Sequence, residues 1–532
     1  MAPQLTGKSL LGFTEADDSP ARFRAISPQT NSQLDTEFHG ASSADVDRAA
    51  QLAHAAFLTY ANLSGKSKAA FLRTIATNIE SVAEPLIARA NLETALPLPR
   101  LQGELARTCG QLRLFASVVE EGSWSAPRID RADPDRKPLR KSDVRSVLRA
   151  LGPVAVFGAS NFPLAFSVAG GDTAAALATG NPVIVKAHPA HPGASEFVGR
   201  AIQSAAKEHN LPEGVFSLLF DSGTSAGAQL VQHPLVKAGA FTGSHRAGRA
   251  LFDLAAKRPE PIPFFAEMAS TNPLFLLPGA IAAAPDKLAA DLHASFTLGA
   301  GQFCTKPGLV FVFDQDATPQ FLSALRTKVS DSAPFTLLTP GIASAFQSEI
   351  AHREKTFGLR PIAAANPPNS STGASAAAAL YEIDLPTLAS NPSIAHEHFG
   401  PATIVVRSGS KAEVLAYAKN LEGHLTATIH GTPADLLEYS DLIRILETKV
   451  GRIVFNGFPT GVEVCHAMIH GGPYPATTDP RFTSVGTSAM LRFARPVCYQ
   501  DFPDAALPAE LQHANPLSLL RLVDGQYTKD AA

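Results

Sequence analysis

Cys304 lies in a stretch suited to thiol chemistry. Gly301-Gln302-Phe303-Cys304-Thr305-Lys306-Pro307-Gly308 follows a helix-like run over 288–298 and the small turn Gly299-Ala300-Gly301, and it precedes the strand-like Leu309-Val310-Phe311-Val312. A cysteine on such a turn presents its sulfur to a cleft while the surrounding amides offer donors, the setting a thiolate nucleophile needs. The commoner fate of a single cysteine is burial as a small hydrophobe, and both readings stand at this point. A second stretch, Thr242-Gly243-Ser244-His245-Arg246-Ala247-Gly248, follows a strand-like segment and opens a helix. Its glycines let the backbone turn, and the helix aims its first amides at whatever lies there, as in a phosphate cradle. The spacing is not the strict GxGxxG, so a plain tight turn is the alternative. The four cysteines, Cys109, Cys304, Cys465 and Cys498, form no CxxC pair, which argues against a disulfide framework or a zinc site and for a reducing compartment.

These residues need a frame to hold them. A chain of 532 residues predicts two or three domains, and 45% apolar with 17% charged residues is the balance of a soluble globular enzyme. A net charge of -3 gives no reason to expect nucleic acid or an anionic membrane as partner. The N-terminus lacks a basic region followed by an apolar run, and no uninterrupted stretch of about 20 apolar residues occurs, so neither a signal peptide nor a membrane span is expected, and the cytoplasm is the expected location.

Residues 1–40 read as an extended entry segment, and Ser42 with Asp45 reads as the cap of a helix running to about Phe57. Apolar spacing predicts further helix over 66–89 and 101–121, with Leu101, Leu105, Leu112, Phe115 and Val119 as the inner stripe of the latter. Arg107 and Gln111 lie four apart on another face of it, where a surface Arg is the plain reading. The charged, proline-bearing segment 126–150 reads as a strand or hairpin leaving the main body. From 152 onward strands (154–157, 183–185, 215–219, 238–241) alternate with helices (166–179, 195–209, 225–232), which means right-handed βαβ units and a parallel sheet binding ligands at its carboxyl ends. A second alternating region begins after Pro261, with strands over 274–277, 309–312, 403–406, 426–429 and 452–456. The Ser/Ala/Gly-rich segment 366–379 reads as flexible surface, 489–499 as a strand able to pair with 146–150, and the end of the chain as a polar, proline-interrupted tail.

Six pieces recur in order at strand ends or loops. They are Ser160-Asn161-Phe162-Pro163, Lys186, Phe241-Thr242-Gly243-Ser244 with Gly248, Glu267, Gly301-Gln302-Phe303-Cys304, and Glu397-His398-Phe399-Gly400-Pro401. Together they resemble the aldehyde dehydrogenase superfamily over nearly the whole chain. The stretches Val185 to Pro192, Asn456 to Val462 and His470 to Thr477 resemble the NADP-preferring branch that oxidises 2-oxoglutarate semialdehyde (2,5-dioxopentanoate), a branch that also includes a long-chain aldehyde dehydrogenase.

The resemblance implies an α/β fold with two Rossmann-like parallel-sheet domains and a small β oligomerisation arm. Its implied boundaries are 1–125 with 151–262 for dinucleotide binding, 263–480 for catalysis, 126–150 with 481–505 for the arm, and 506–532 for the tail. It implies Cys304 as nucleophile, Asn161 with the Cys304 amide as oxyanion donors, and Glu267 as general base, with the apolar Pro263-Phe264-Phe265 beside it raising its pKa. The common Glu-Leu-Gly-Gly is here Glu267-Met268-Ala269-Ser270, which puts the loop geometry in question.

For the cofactor the resemblance implies Lys186, His188, Gly243, Ser244, Gly248, Glu397 and Phe399. Pro189 replaces a glutamate that would repel a 2′-phosphate, which favours NADP over NAD. By alignment, Arg107 helped by Gln111 is expected to bind a distal carboxylate of the substrate, with Phe162, Phe458 and Thr460 as walls. No metal is expected, and a homodimer or homotetramer is. The alternatives are a broad or long-chain fatty aldehyde dehydrogenase and, from another class, a cofactor-independent thiol hydrolase or acyl transferase.

Overall fold

The computed structural model describes residues 4–365 and 373–532. Among these residues no helix is long and apolar enough to cross a membrane. Short runs such as Val154–Phe157 (VAVF) and Val183–Lys186 (VIVK) are buried at every position, as strands covered on both faces must be. With Phe216–Leu219, Ala238–Thr242 and Phe264–Glu267 they form the parallel part of a seven-stranded sheet, and the entry strands Leu10–Leu11 and Thr14–Glu15 close its other edge antiparallel. A second seven-stranded sheet is built from Ala379–Asp384, Ala402–Ser408, Leu309–Phe313, Leu274–Leu276, His424–His430 and Val450–Phe455, all parallel, with Ala363–Ala364 antiparallel at one edge. The arm is a five-stranded sheet in which Ala494–Gln500 pairs antiparallel with Val144–Ala150 along seven residues.

The α/β class and both parallel sheets match the sequence reading, and the capping box of Ser42 and Asp45 forms as expected. Several local readings are corrected. The helix over 66–89 is two helices, Gly65–Ser81 and Ala83–Thr94, because Pro85 lacks an amide and its ring cannot follow an unbroken turn. The helix over 166–179 begins only at Gly171. The amides of Leu164 and Ala165 before it both donate to the buried Glu104 carboxylate, which commits that stretch to a loop.

Residues 264–267 are not merely an apolar patch beside a loop but a strand of the first sheet. Residues 487–493 are 3₁₀ helix, and the arm strand starts at Ala494. Ala374, Ala376, Ala378 and Ala379 are buried, so that end of the supposed flexible segment is interior; 366–372 lie outside the described residues. The tail is folded: Arg521–Val523 pairs parallel with Arg128–Asp130, and Leu507, Leu511 and Val523 pack with Ile129 and Val147.

Candidate active site

Glu267 ends the outermost strand of the first sheet, Asn161 follows the strand Val154–Phe157, and Cys304 lies on the turn between the helix Pro285–Thr297 and the strand Leu309–Phe313 of the second sheet. Three consecutive residues before the cysteine, Gly299, Ala300 and Gly301, take left-handed backbone conformations. At Gly301 a Cβ would stand 2.2 Å from the Gly400 carbonyl oxygen, so only glycine fits. The side-chain amide of the buried Asn272 donates to the carbonyls of Cys304 (2.8 Å) and Lys306 (2.9 Å), fixing the turn from below.

The Cys304 sulfur is 3.4 Å from Nε2 of His470, and that same nitrogen is 2.9 Å from Oε1 of Glu267. Ser484 Oγ donates to the other carboxylate oxygen at 2.6 Å. Burial pushes the Glu267 pKa up, but His470, the Ser484 hydroxyl and the Cys304 thiol outweigh it, and the net shift is below the ordinary carboxylate value. The expected rise is therefore corrected: the apolar neighbours are present, yet the hydrogen bonds to the charged form win. Desolvation, then the Glu267 carboxylate, hold the Cys304 thiol well above its usual range, while Arg107 opposes them. The Asn161 amide donates to the Gln302 carbonyl at 3.0 Å, which puts it against the Cys304 turn.

Arg100 fastens these two loops together. Its Nη2 donates to the Asn161 carbonyl at 2.7 Å, and its guanidinium lies 4.9 Å from the Phe162 ring and 4.8 Å from the Phe303 ring. Two turns on, Arg107 stands over Phe166 (5.0 Å) and Phe162 (5.7 Å) and makes no hydrogen bond or ion pair among the described residues. Its Nε is buried without a partner, as is Nε2 of the buried Gln111. Its guanidinium is close enough to Cys304 and Glu267 to feel their charge. Arg107 is thus no ordinary surface arginine. Phe162 packs edge-on against Phe303 at 5.2 Å, next to Cys304. Phe458 packs against His430 with the rings tilted and their centroids 4.7 Å apart, and Thr460 bonds to Ser295 of the helix leading to Cys304.

A cavity of about 1120 Å³ opens between the sheets, with Ser244 and Arg246 on one side and Ser270, Thr271 and Glu397 on the other. Its size and its two walls fit a dinucleotide. Ser244 caps the helix His245–Ala256 through Oγ. Gly243 and Gly248 are needed for close approach and not for a positive φ: a Cβ at 248 would meet Met268 Cγ at 2.7 Å, and one at 243 would meet the Phe241 ring at 2.6 Å. Glu397 is raised to about 7 by burial, against the pull of Lys306. Lys306 in turn donates to the carbonyls of His398 (2.6 Å) and Ala402 (2.8 Å), and so braces the turn that carries Glu397 and the half-buried Phe399. Lys186 donates to the Asp221 carbonyl at 2.6 Å and is lowered to about 8 by burial. His188 accepts from the Ala190 amide, stacks on His191 at 5.5 Å, and titrates well below the usual histidine range because of burial and its neighbours His191 and Lys186. It is neutral near pH 7 and, contrary to expectation, brings no positive charge to a 2′-phosphate.

The residues that sequence reading did not assign are His470, Ser484, Arg100, Glu104, Asn272 and Lys306. His470 and Ser484 lie about 200 residues from Glu267 and arrive on the segment that pairs Thr477 with it, so no local spacing announces them.

The aldehyde dehydrogenase family pattern matches residues 13–473. Alpha-ketoglutaric semialdehyde dehydrogenase 2 of Azospirillum brasilense is 49% identical over 524 residues, covering 98% of this chain and 99% of its own. The alpha-ketoglutaric semialdehyde dehydrogenase of Acinetobacter baylyi is 47% identical, with 93% of each chain covered. Among solved structures, PnpE in complex with nicotinamide adenine dinucleotide has a TM-score of 0.78 at 20% identity, covering 93% of this chain and 97% of that one. Aldehyde dehydrogenase C of Pseudomonas syringae, with NAD+ and octanal, has a TM-score of 0.79 at 19% identity, covering 94% and 98%. The last two are likenesses of fold. With a cysteine turn, a carboxylate and an amide converging at the end of two parallel sheets, and these relatives spanning its length, the chain belongs to the aldehyde dehydrogenase family.

Proposed function

We propose that the protein oxidises 2,5-dioxopentanoate to 2-oxoglutarate with NAD(P), preferring NADP. The observation that carries the substrate is Arg107, an unpaired guanidinium held between Phe162 and Phe166 within charge range of the thiol. Arg107 is half-buried and its Nε is enclosed without a partner, so a ligand anion would offset the desolvation of its charge, and a carboxylate matches its fork. The names of the two relatives nearly as long as this chain support the same substrate.

In this reading Glu267, kept ionised by His470 and Ser484, takes the Cys304 thiol proton and releases it to solvent. The thiolate attacks the aldehyde carbon. The resulting oxyanion receives the Asn161 side-chain amide and the Cys304 backbone N–H, each such donor contributing about 3 kcal/mol. Bound nicotinamide supplies a hydride acceptor, and loss of hydride leaves a thioester on Cys304. Glu267 then takes a proton from the attacking water, and the thiolate departs as the acid forms. Ser244, the amides opening its helix, Lys186 and Glu397 would hold the dinucleotide. Pro189, in place of a repelling carboxylate, supports NADP. The arm strand Ala494–Gln500, paired on one side only, supports edge-to-edge pairing of two copies, and four free cysteines support a reducing cytoplasm.

The test is a kcat/KM panel of 2,5-dioxopentanoate, succinic semialdehyde, glutaraldehyde and long alkanals with NAD and NADP, read by the absorbance of reduced nicotinamide. The expected order puts the dioxo acid first and NADP ahead of NAD. A long alkanal in first place would overturn the substrate, and turnover without nicotinamide would overturn the reaction.

A further inference from the structure

The described residues hold one trio of metal-ligating side chains, and it is assembled from three distant segments: Glu267, Cys304 and His470. We propose that this trio is a binding site for a borderline divalent cation, Zn²⁺ foremost, and that its occupancy reversibly shuts the nucleophile. The absence of CxxC pairs argues only against zinc sites built from neighbouring cysteines, and this one uses a single cysteine.

The spacing fits. Zinc holds sulfur at about 2.3 Å and nitrogen or oxygen at about 2.0–2.2 Å, so tetrahedral neighbours stand roughly 3.3–3.6 Å apart. Here sulfur and Nε2 are 3.4 Å apart, Nε2 and Oε1 are 2.9 Å apart, and the ligand atoms of the trio all lie within 4.8 Å of one another.

The charge also fits. A thiolate and a carboxylate cancel the two positive charges, so a site whose histidine and glutamate are almost fully buried gains no net charge. The incoming ion displaces one proton, that of the Cys304 thiol, and coordination joins sulfur, imidazole nitrogen and carboxylate oxygen. Ser484 already holds the far carboxylate oxygen, the kind of outer partner that fixes a ligand's orientation. Two features moderate the affinity: Nδ1 of His470 is buried without a partner, and the Arg107 guanidinium lies within charge range of the sulfur. Three ligands leave the fourth position facing the cleft, for water or a substrate oxygen. Hard cations such as Mg²⁺, which demand oxygen ligands, are excluded by the sulfur and nitrogen. The shutting of the site rests on Cys304 being the nucleophile; the binding does not.

The test uses the full chain, stripped of metal with a chelator and titrated with Zn²⁺ against a chromophoric competitor. One tight site per chain is expected. Cys304→Ala and His470→Gln should each weaken it at least about 10-fold, while Cys465→Ser and Cys498→Ser should leave it unchanged. Co²⁺ in place of Zn²⁺ should give a thiolate charge-transfer band that is lost in Cys304→Ala, and Zn²⁺ should slow alkylation of Cys304 until EDTA is added. Thermal unfolding identifies any variant that fails to fold; Glu267→Gln then replaces it. Zinc binding insensitive to substitution of Cys304, or a cobalt spectrum without the thiolate band, would overturn the proposal. Both readouts are made without aldehyde, so their failure is separate from failure of the oxidation assay, which is run in chelator.

Discussion

Replacing Arg107 by Met separates substrate recognition from catalysis. In the free protein this guanidinium has no hydrogen-bonding or ionic partner among the described residues, only two aromatic rings, at 5.0 and 5.7 Å. Two charge-assisted hydrogen bonds to a substrate carboxylate would contribute about 1.5–3 kcal/mol each before water is counted. Allowing for partial rehydration, the loss is about 3 kcal/mol, or roughly 150-fold in kcat/KM for 2,5-dioxopentanoate. Arg107→Lys keeps the charge without the fork and should lose about 10-fold. Arg107 also holds the Cys304 thiol pKa down, so its removal slows every aldehyde somewhat, and the ratio to hexanal isolates the carboxylate effect. Losing the two ring contacts costs about 0.5–1 kcal/mol each, and releasing a half-buried, unpaired cation offsets it, so Tm should stay level. The assay is steady-state kinetics on both aldehydes with a thermal melt of each variant. Equal losses on the two substrates would refute the assignment.

Further outcomes follow from the same geometry. Ser484→Ala removes the hydroxyl that keeps Glu267 ionised, so the acid limb of kcat should move up by about one pH unit, the worth of one hydrogen bond to a charged group; an unmoved limb in the pH–rate profile contradicts this. Lys186 is lowered to about 8, so it is charged below that pH and neutral above it, and NADP affinity should fall relative to NAD as pH rises through about 8, measured by fluorescence titration. Gly301→Ala places a Cβ 2.2 Å from the Gly400 carbonyl at a φ of +68°, and its urea midpoint should fall by the equivalent of several kcal/mol. Gly461→Ala, at a φ of +110° with open space, should cost about 1 kcal/mol.

The fold class was legible in the chain's local pattern, and the candidate reacting residues in its resemblance to a family. Buried four-residue strands alternating with helices dictate parallel sheets, since strands covered on both faces must be apolar throughout. Gly301 before Cys304 marks a backbone that must come close to another chain segment, and Asn161, Glu267 and Cys304 sit where ligand-facing strand ends and turns belong.

Tertiary structure decided the rest, because the deciding interactions are long-range. Whether Glu267 is neutral or ionised depends on His470 and Ser484, which approach from a segment about 200 residues away, and that approach reversed the expectation drawn from its apolar neighbours. Arg107 looked like a surface residue by helical position, yet packing against the loop carrying Phe162 and Phe166 half-buried it. His188 could have brought charge to the cofactor, but burial first, and then its neighbours His191 and Lys186, hold its pKa well below the usual histidine range. Local pattern fixes which residues can react; their charge state is set by neighbours that only the folded chain brings within a hydrogen bond.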